Sequence, residues 1–440
     1  MKTAGPRKWL TLVLLTTAFA LNYMDRQVIN ILAQPIKADL HISDTALSFL
    51  AGTAFTLVYA LAAIPIARIA DRYNRVTVIA GSVAFWSVMT GLCGLAQAYV
   101  PLLLFRVGVG LGEAGGIPAS HALISDHFDQ KRRALAMGVY AFGLPAGTLL
   151  GLLIGGVVND LAGWRWTFVI AAAPGFLLAL AIRGLLRELP RGSAEDQPPT
   201  PDGLTQGQAL AALSSNLPYV VVTLGCGASL LYVYVANAWF PAMLIRLHYM
   251  PVHQVGIALG LFAGIGGGVC TLACGRIAQA LSGRVSDPEL WVAAGGLILS
   301  FPLYLLAVAS RSTPIALAAV AGEFTLMYAW IGPSYTITQR LVPVHMRALA
   351  SSIQIGGGAI IAQIFGPQLV GVLSDVFGRT HGVEGLRYAL LCVSATSLVG
   401  AGLFFAACMM LRRARTPGPT RLKSTSVVGA TPAGLAGDQR

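Results

Sequence analysis

Twelve apolar runs, each long enough to cross a lipid bilayer as a helix, constrain this chain more than any other feature of its sequence. About 20 consecutive apolar residues span the hydrocarbon core of a membrane. Only 11% of the 440 residues are charged, which is typical of a membrane protein. The sequence therefore predicts an all-α polytopic membrane protein, whose spans lie at about 9–33, 45–67, 76–97, 100–125, 134–158, 165–186, 217–241, 254–280, 290–309, 313–339, 350–373 and 386–411.

The distribution of Lys and Arg predicts the orientation of these spans. Of the 30 basic residues, six fall in connections on one side and two fall within spans, which leaves 22 for the other side and the termini. Cytoplasmic connections carry the excess of Lys and Arg. We expect both termini to be cytoplasmic, in a cell membrane. The net charge of +12 follows from these short connections and gives no reason to expect a nucleic-acid partner.

Internal repetition predicts two pseudo-symmetric six-helix halves. Gly112-Glu113 recurs as Gly322-Glu323, and five such matches occur in the same order along the two parts of the chain. We expect an N-terminal half at 1–186, a cytoplasmic linker at 187–216, a C-terminal half at 217–411 and a disordered cytoplasmic tail at 412–440. Two parallel six-helix halves around a central site are a transporter architecture.

Five charged side chains fall well inside the predicted spans: Asp25, Arg26, Arg106, Glu113 and Glu323. A charge at the centre of a membrane helix costs about 2.5–3.5 kcal/mol on insertion scales. Each of these side chains therefore needs a partner on another helix or a water-filled cavity. An intramembrane charge is a functional candidate by default, and the alternative is a structural ion pair that fixes helix packing.

The depths of these charges indicate which of them can meet. Arg106 and Glu113 lie about two helical turns apart in one span, on nearly the same side of the helix. At about 1.5 Å per residue, Asp25 falls at a level between them. This makes an Asp25–Arg106 ion pair plausible and leaves Glu113 without an obvious cation except Arg26. Glu323, at the position equivalent to Glu113, is either a functional group or a packed neutral acid.

Glu113 and Asp25 are the candidate proton carriers. Burial disfavours the charged form of a carboxylate, and a nearby cation favours it. A carboxylate that is buried in one conformation and lies beside a cation in another can therefore bind a proton in the first and release it in the second. A substrate with an anionic group would compete for the same arginines, which couples the two binding events.

The segment Ala67-Arg-Ile-Ala-Asp-Arg-Tyr-Asn-Arg75 resembles the signature of the major facilitator superfamily, with Ala67 and Asn74 at the places of two glycines. Within that superfamily, Leu21-Asn-Tyr-Met-Asp-Arg26, Arg106 with Gly112-Glu-Ala114, and Gly163-Trp-Arg-Trp166 resemble the spinster-like branch. The resemblance covers residues 9–411 in organisation, and its sharpest motifs lie in the first half.

This resemblance implies functions for particular residues. Asp25, Arg106 and Glu113 match positions tied to proton coupling and substrate engagement, with Arg26 and Glu323 as further candidates for substrate binding. Asp71, Arg72 and Arg75 match a cytoplasmic gate. The second-half copy has Gln279 in place of Asp71, so we expect the first half alone to carry the gate charges. Relatives in this branch carry lysolipids and sphingoid phosphates, which are amphiphiles with an anionic head.

The sequence thus predicts a secondary active transporter that works by alternating access and is coupled to protons, in symport or antiport. It is expected to act as a monomer on a small-molecule or lipid substrate, without a cofactor or a metal. Alternatives are a symporter of small organic anions, with Arg26 and Arg106 as carboxylate ligands, and a drug or sugar efflux carrier. We find no motif of a hydrolase, metalloprotease or Walker-type ATPase, so we do not expect an enzyme.

Overall fold

The computed structural model describes residues 5–189, 206–343 and 346–415. Within these ranges it omits the side chains of residues 5–7, 71, 130, 131, 134, 206, 348, 414 and 415. The described chain is almost entirely helical, and its only β-type pairing is an isolated bridge between Ser282 and Val285. The fold class predicted from the sequence is confirmed.

The helices of the first half follow the predicted spans. Their bounds are Gly5–Ile31, Ala33–Leu40, Asp44–Ser48, Phe49–Thr53, Ala54–Arg72, Arg75–Cys93, Tyr99–Glu113, Gly116–His127, Gln130–Ala141 and Gly143–Leu185. Phe49–Thr53 is a π-helical turn inside one long helix. The last helix contains Gly163 at φ 84°, a left-handed conformation that glycine adopts readily, and this residue divides the fifth span from the sixth.

The helices of the second half repeat this pattern. Their bounds are Gln206–Ser215, Leu217–His248, Val252–Leu261, Phe262–Gly266, Gly267–Leu281, Pro288–Ala309, Thr313–Leu326, Ile331–Leu341, Arg347–Ser352, Ile353–Gly357, Gly358–His381, Gly382–Glu384, Gly385–Val393 and Thr396–Arg415. A π-helical turn at Phe262–Gly266 corresponds to the one at Phe49–Thr53. Gly382, at φ 58°, separates the last two spans as Gly163 separates the fifth and sixth.

Nine helical segments of the described chain are long and apolar enough to cross a membrane. Two of them, Leu135–Leu185 and Leu349–Arg413, each contain two spans divided at Gly163 and Gly382. The first helix, Gly5–Ile31, supplies one more. The total is the twelve spans that the sequence predicts. The boundaries of the halves remain a prediction, and most of the linker and the tail lie outside the described residues.

Two ion pairs show the pseudo-symmetry of the halves at the end where the linker joins them, which we term the linker end. Arg75 pairs with Asp126 in the first half. In the second half Glu289 pairs with Arg340 at 2.9 Å. The residues of both pairs are related by an offset of 214, which is 289 minus 75 and 340 minus 126. An ion pair therefore connects the same two positions in both halves. The position that holds the arginine in one half holds the acid in the other.

At the opposite end of the molecule, which we term the far end, a pair of equivalent acidic residues joins the halves. Asp375 accepts hydrogen bonds from the backbone N–H groups of Asp44 and Thr45, at 3.0 and 2.8 Å. The equivalent acid, Asp160, accepts one from the backbone N–H of His253 at 3.2 Å. Each acid thus caps the first turn of a helix in the other half, where N–H groups lack helical partners.

Glycines allow the halves to approach closely near the far end. A Cβ on Gly256 would lie 2.2 Å from the carbonyl oxygen of Leu152, and one on Gly156 would lie 2.8 Å from that of Val252. On the other side of the molecule, a Cβ on Gly371 would lie 2.7 Å from the carbonyl oxygen of Asp44. Small residues at these places let helix backbones pack in contact across the interface.

Candidate functional site

The central charged cluster consists of Asp25, Arg26, Arg106 and Glu113, with two residues on the first helix and two on Tyr99–Glu113. Arg26 Nε donates to Glu113 Oε2 at 2.9 Å. The Glu113 side chain is fully buried, whereas 14% of the Arg26 side chain remains exposed. The sequence left Arg26 as the one obvious cation for Glu113, and the structure shows a direct ion pair between these two residues.

Aromatic rings surround the guanidinium of Arg26. Its centre lies 5.3 Å from the ring of Tyr23, 5.0 Å from that of Phe55 and 5.0 Å from that of Tyr59. Cation–π attraction and the apolar ring faces stabilise a cation that is largely out of water. Phe55 also lies beside Arg106, at 5.1 Å, so one ring contacts both guanidinium groups of the cluster.

Arg106 has an unusual environment for an arginine. Only 1% of the residue is exposed, and none of its three guanidinium nitrogens has a hydrogen-bond partner. Buried charges in proteins are ordinarily paired and hydrogen-bonded, because an unsatisfied one is costly. The site therefore holds unused hydrogen-bond donors.

The predicted Asp25–Arg106 ion pair is wrong for this conformation. Asp25 instead accepts a hydrogen bond from the Thr90 hydroxyl at 3.0 Å, and its other oxygen has no partner. The depth estimate concerned only the height of Asp25 in its span. It carried no information about the rotation of the first helix or about the third span, which supplies Thr90.

The family comparisons agree with this architecture. The family model described as Major Facilitator Superfamily matches residues 15–367. The chain belongs to the Major Facilitator Superfamily. It is accordingly a multi-pass membrane transporter rather than an enzyme, as the sequence predicts.

The chain is also similar to spinster proteins within that superfamily. Human protein spinster homolog 1 is 27% identical over 428 residues, which cover 90% of this chain and 79% of the relative. An "MFS-type efflux pump" of Mycolicibacterium smegmatis is 34% identical over 416 residues, covering 93% and 95%. The crystal structure of a bacterial homolog of the human lysosomal transporter Spinster, inward-facing and unoccupied, matches with TM-score 0.86 and 28% identity, covering 93% and 99%.

A polar network at the far end joins the two halves of this transporter. Its centre is Asp44, which is 2% exposed. The Asp44 carboxylate accepts two bonds from Arg246, at 2.7 Å each, one from Lys37 at 2.5 Å and one from Ser374 at 2.6 Å. Arg246 and Ser374 belong to the second half, so these bonds join the two halves at the far end. We call Lys37, Asp44, Arg246 and Ser374 the far-end network.

Sequence reasoning did not single out this network. Lys37 and Arg246 lie in connections between the predicted spans, and Asp44 lies just before the span at 45–67. The sequence did contain a signal for the ion pair between Asp44 and Arg246. Asp44 lies at the start of a span, Arg246 lies in a connection on the same side, and a carboxylate and a guanidinium readily form hydrogen bonds.

Glu323 lies apart from the central cluster. It is fully buried, and neither oxygen of its carboxylate has a hydrogen-bond partner. Tyr232 lies near Glu323, and its hydroxyl shares a 2.7 Å hydrogen bond with Ser300. Tyr232 packs against Tyr304, with ring centroids 5.3 Å apart. The structure brings Glu323 together with second-half aromatic residues and not with Arg26 or Arg106, and its part in substrate binding stays a prediction.

The predicted gate is only partly described. The side chain of Asp71 lies outside the described residues, and Arg72 is exposed at the end of Ala54–Arg72. Arg75 is buried and pairs with Asp126, while its backbone N–H donates to Glu188 at 3.0 Å. The expectation that the first half alone carries the gate charges stays a prediction. At the same end of the second half, Asp287 and Glu289 pair with Arg340.

Proposed function

We propose that this member of the superfamily is a proton-coupled secondary transporter of an amphiphile with an anionic head, such as a lysolipid or sphingoid phosphate. The observation that carries the proposal is Arg106, a buried guanidinium with three unpartnered nitrogens. A guanidinium presents a planar set of donors that matches the oxygens of phosphate or carboxylate. An anionic head seated there would supply the hydrogen bonds that Arg106 lacks.

Charge balance supports coupling to protons. With all four groups ionised, Asp25, Arg26, Arg106 and Glu113 carry no net charge. An added anion leaves the cluster with an excess negative charge in a site screened from water, which is unfavourable. Uptake of a proton by Asp25 or Glu113 restores neutrality, so binding of the anion and of the proton should favour each other. Glu113 protonation would also release Arg26 from its ion pair as a second ligand for the head.

The far-end network supports an alternating-access cycle. It holds the halves together at the far end, and the related bacterial structure is described as inward-facing. If the linker end is cytoplasmic, as the distribution of Lys and Arg predicts, the site opens to the cytoplasm in this state. Transport then requires the far-end network to break while the linker end closes, with Asp71, Arg72 and Arg75 forming the gate there. We propose that the chain does this as a monomer in the cell membrane.

A second candidate function is efflux of drugs. The Mycolicibacterium smegmatis relative, which is named an efflux pump, favours it. Such a carrier would need Arg106 less, because uncharged or cationic drugs offer no acceptor for a guanidinium. The two candidates are therefore separated by the chemistry of the preferred substrate.

Transport into proteoliposomes tests the proposal. Purified protein would be presented with lysophosphatidic acid, a sugar acid and a cationic dye, each with and without a pH gradient. We expect flux of the lysophospholipid that depends on the gradient and is lost in Arg106→Ala. Gradient-driven flux of the dye alone would support the efflux function instead. Lysophospholipid flux that ignores the gradient would show a facilitator without proton coupling.

A further inference from the structure

Thr90 lies at the centre of the site, yet nothing in the sequence motifs draws attention to it. It belongs to Arg75–Cys93, a helix that contributes no charge to the central cluster, and it is 1% exposed. Its hydroxyl donates to Asp25 Oδ2 at 3.0 Å. This bond is the one hydrogen bond that the described structure gives to the Asp25 side chain.

The direction of the Thr90 hydroxyl differs from that of its neighbours. A buried helical Ser or Thr commonly returns its hydroxyl to the carbonyl one turn earlier in its own helix. Ser87, one turn before Thr90, bonds the carbonyl of Val83 at 2.7 Å, and Thr148 bonds that of Leu144 at 3.0 Å. Thr90 instead turns its hydroxyl across the helix interface to a carboxylate, which suits a residue that sets the position of that carboxylate.

The side chains near Asp25 include its observed partner and a cation that could replace it. The observed one is Thr90, and the other is Arg106, which is electrostatically coupled to Asp25 but has no hydrogen-bond partner. A carboxylate and a guanidinium attract each other strongly when both are out of water. In this conformation the Asp25 carboxylate nevertheless binds the Thr90 hydroxyl, and the Arg106 guanidinium has no hydrogen-bond partner.

We propose that Thr90 is a positioning residue that holds Asp25 off Arg106 and so keeps the Arg106 guanidinium free for the anionic group of the substrate. This inference rests on the proposed function, because it assumes that Arg106 binds the substrate. Without the hydroxyl, Asp25 moves to Arg106 and occupies it as an internal anion. An incoming anionic head must then displace Asp25 before it can bind.

The test has a structural arm that needs no ligand. Thr90→Val keeps the shape of the side chain and removes the hydroxyl, and Thr90→Ser keeps the hydroxyl. In a cryo-EM structure of Thr90→Val we expect the Asp25 carboxylate within hydrogen-bonding distance of Arg106, whereas Thr90→Ser retains the wild-type arrangement. An Asp25 carboxylate that stays away from Arg106 in Thr90→Val overturns the inference.

The functional arm measures binding of dodecyl phosphate to the full chain in nanodiscs, with uncharged dodecyl glucoside as the comparison ligand. Thr90→Val should weaken dodecyl phosphate binding roughly tenfold, as expected for a hydrogen bond to a charged group. Thr90→Ser should restore it, and dodecyl glucoside affinity should not change.

An Asp25→Asn background separates positioning from general damage to the fold. In that background no carboxylate competes for Arg106, so Thr90→Val should no longer affect dodecyl phosphate binding. Equal weakening in both backgrounds would show that Thr90 has a merely structural role. If the wild type does not prefer dodecyl phosphate and Arg106→Ala changes nothing, the proposed function fails, while the structural arm still decides the position of Asp25.

Discussion

Replacing Asp44 with alanine should open the far end of the transporter. The carboxylate accepts four bonds, and three of them come from Arg246 and Ser374 in the other half. Arg246 is only 13% exposed, so the substitution leaves a largely buried cation without its ion-pair partner. Removing one member of a buried ion pair costs about 3–5 kcal/mol.

The loss of this ion pair destabilises only the conformation in which the far end is closed. When the far end is open, Arg246 and Ser374 meet water and the alanine costs them little. A penalty of about 3–4 kcal/mol on the closed conformation alone corresponds to roughly a 10²–10³-fold shift of the equilibrium, since about 1.4 kcal/mol is a factor of ten. A closed population that dominates in the wild type would become comparable to the open one or smaller.

Spin-label distances across the far end measure this shift. In a cysteine-free background, Leu161→Cys and Val383→Cys place labels on exposed far-end positions of the two halves. We expect the distance distribution to gain a longer component in Asp44→Ala. Lys37→Met is a matched control, because it removes a bond to the same carboxylate from within the first half. An unchanged distribution in Asp44→Ala, or an equal change in Lys37→Met, would refute the reasoning.

Three further predictions follow from the site and the interface. Glu113→Gln should abolish flux driven by a pH gradient but leave binding of the anionic amphiphile measurable, and affinity curves against pH that match the wild type would exclude Glu113 as the proton carrier. Gly256→Leu should slow transport at least tenfold by preventing far-end closure, because its side chain would meet the carbonyl oxygen of Leu152; a wild-type rate in proteoliposomes would contradict the packing. Ser193→Cys in the linker should react with an impermeant thiol reagent only after cell lysis, and labelling of intact cells would reverse the predicted orientation.

The sequence determined the class of fold and the membership of the central cluster. Apolar runs of membrane length leave the chain only one way to satisfy its backbone groups, so the twelve helices could be read without any tertiary information. The same physics identified Asp25, Arg26, Arg106 and Glu113, because a charge is conspicuous in a span where its burial is costly. The internal repeat likewise indicated that the halves are related.

Only the tertiary structure decided which of these charges meet. Arg26 takes Glu113, and Asp25 takes Thr90 in preference to Arg106. Residue spacing gives the height of a side chain in the membrane, but partners on different helices depend on the rotation and crossing of those helices. Nothing in the sequence was a reason to select Thr90, because burying a threonine in an apolar span costs far less free energy than burying a charged side chain.

The contacts between the halves were also decided by the tertiary structure. Asp44 and Arg246 are about 200 residues apart, and neither lies within a pattern that names its partner. Their pairing exists because the halves pack at the far end in this conformation, and it must break in another. One sequence encodes all the conformations of the transporter. An ion pair that forms in only one of them, such as Asp44–Arg246, can therefore be recognised only from the structure of that conformation.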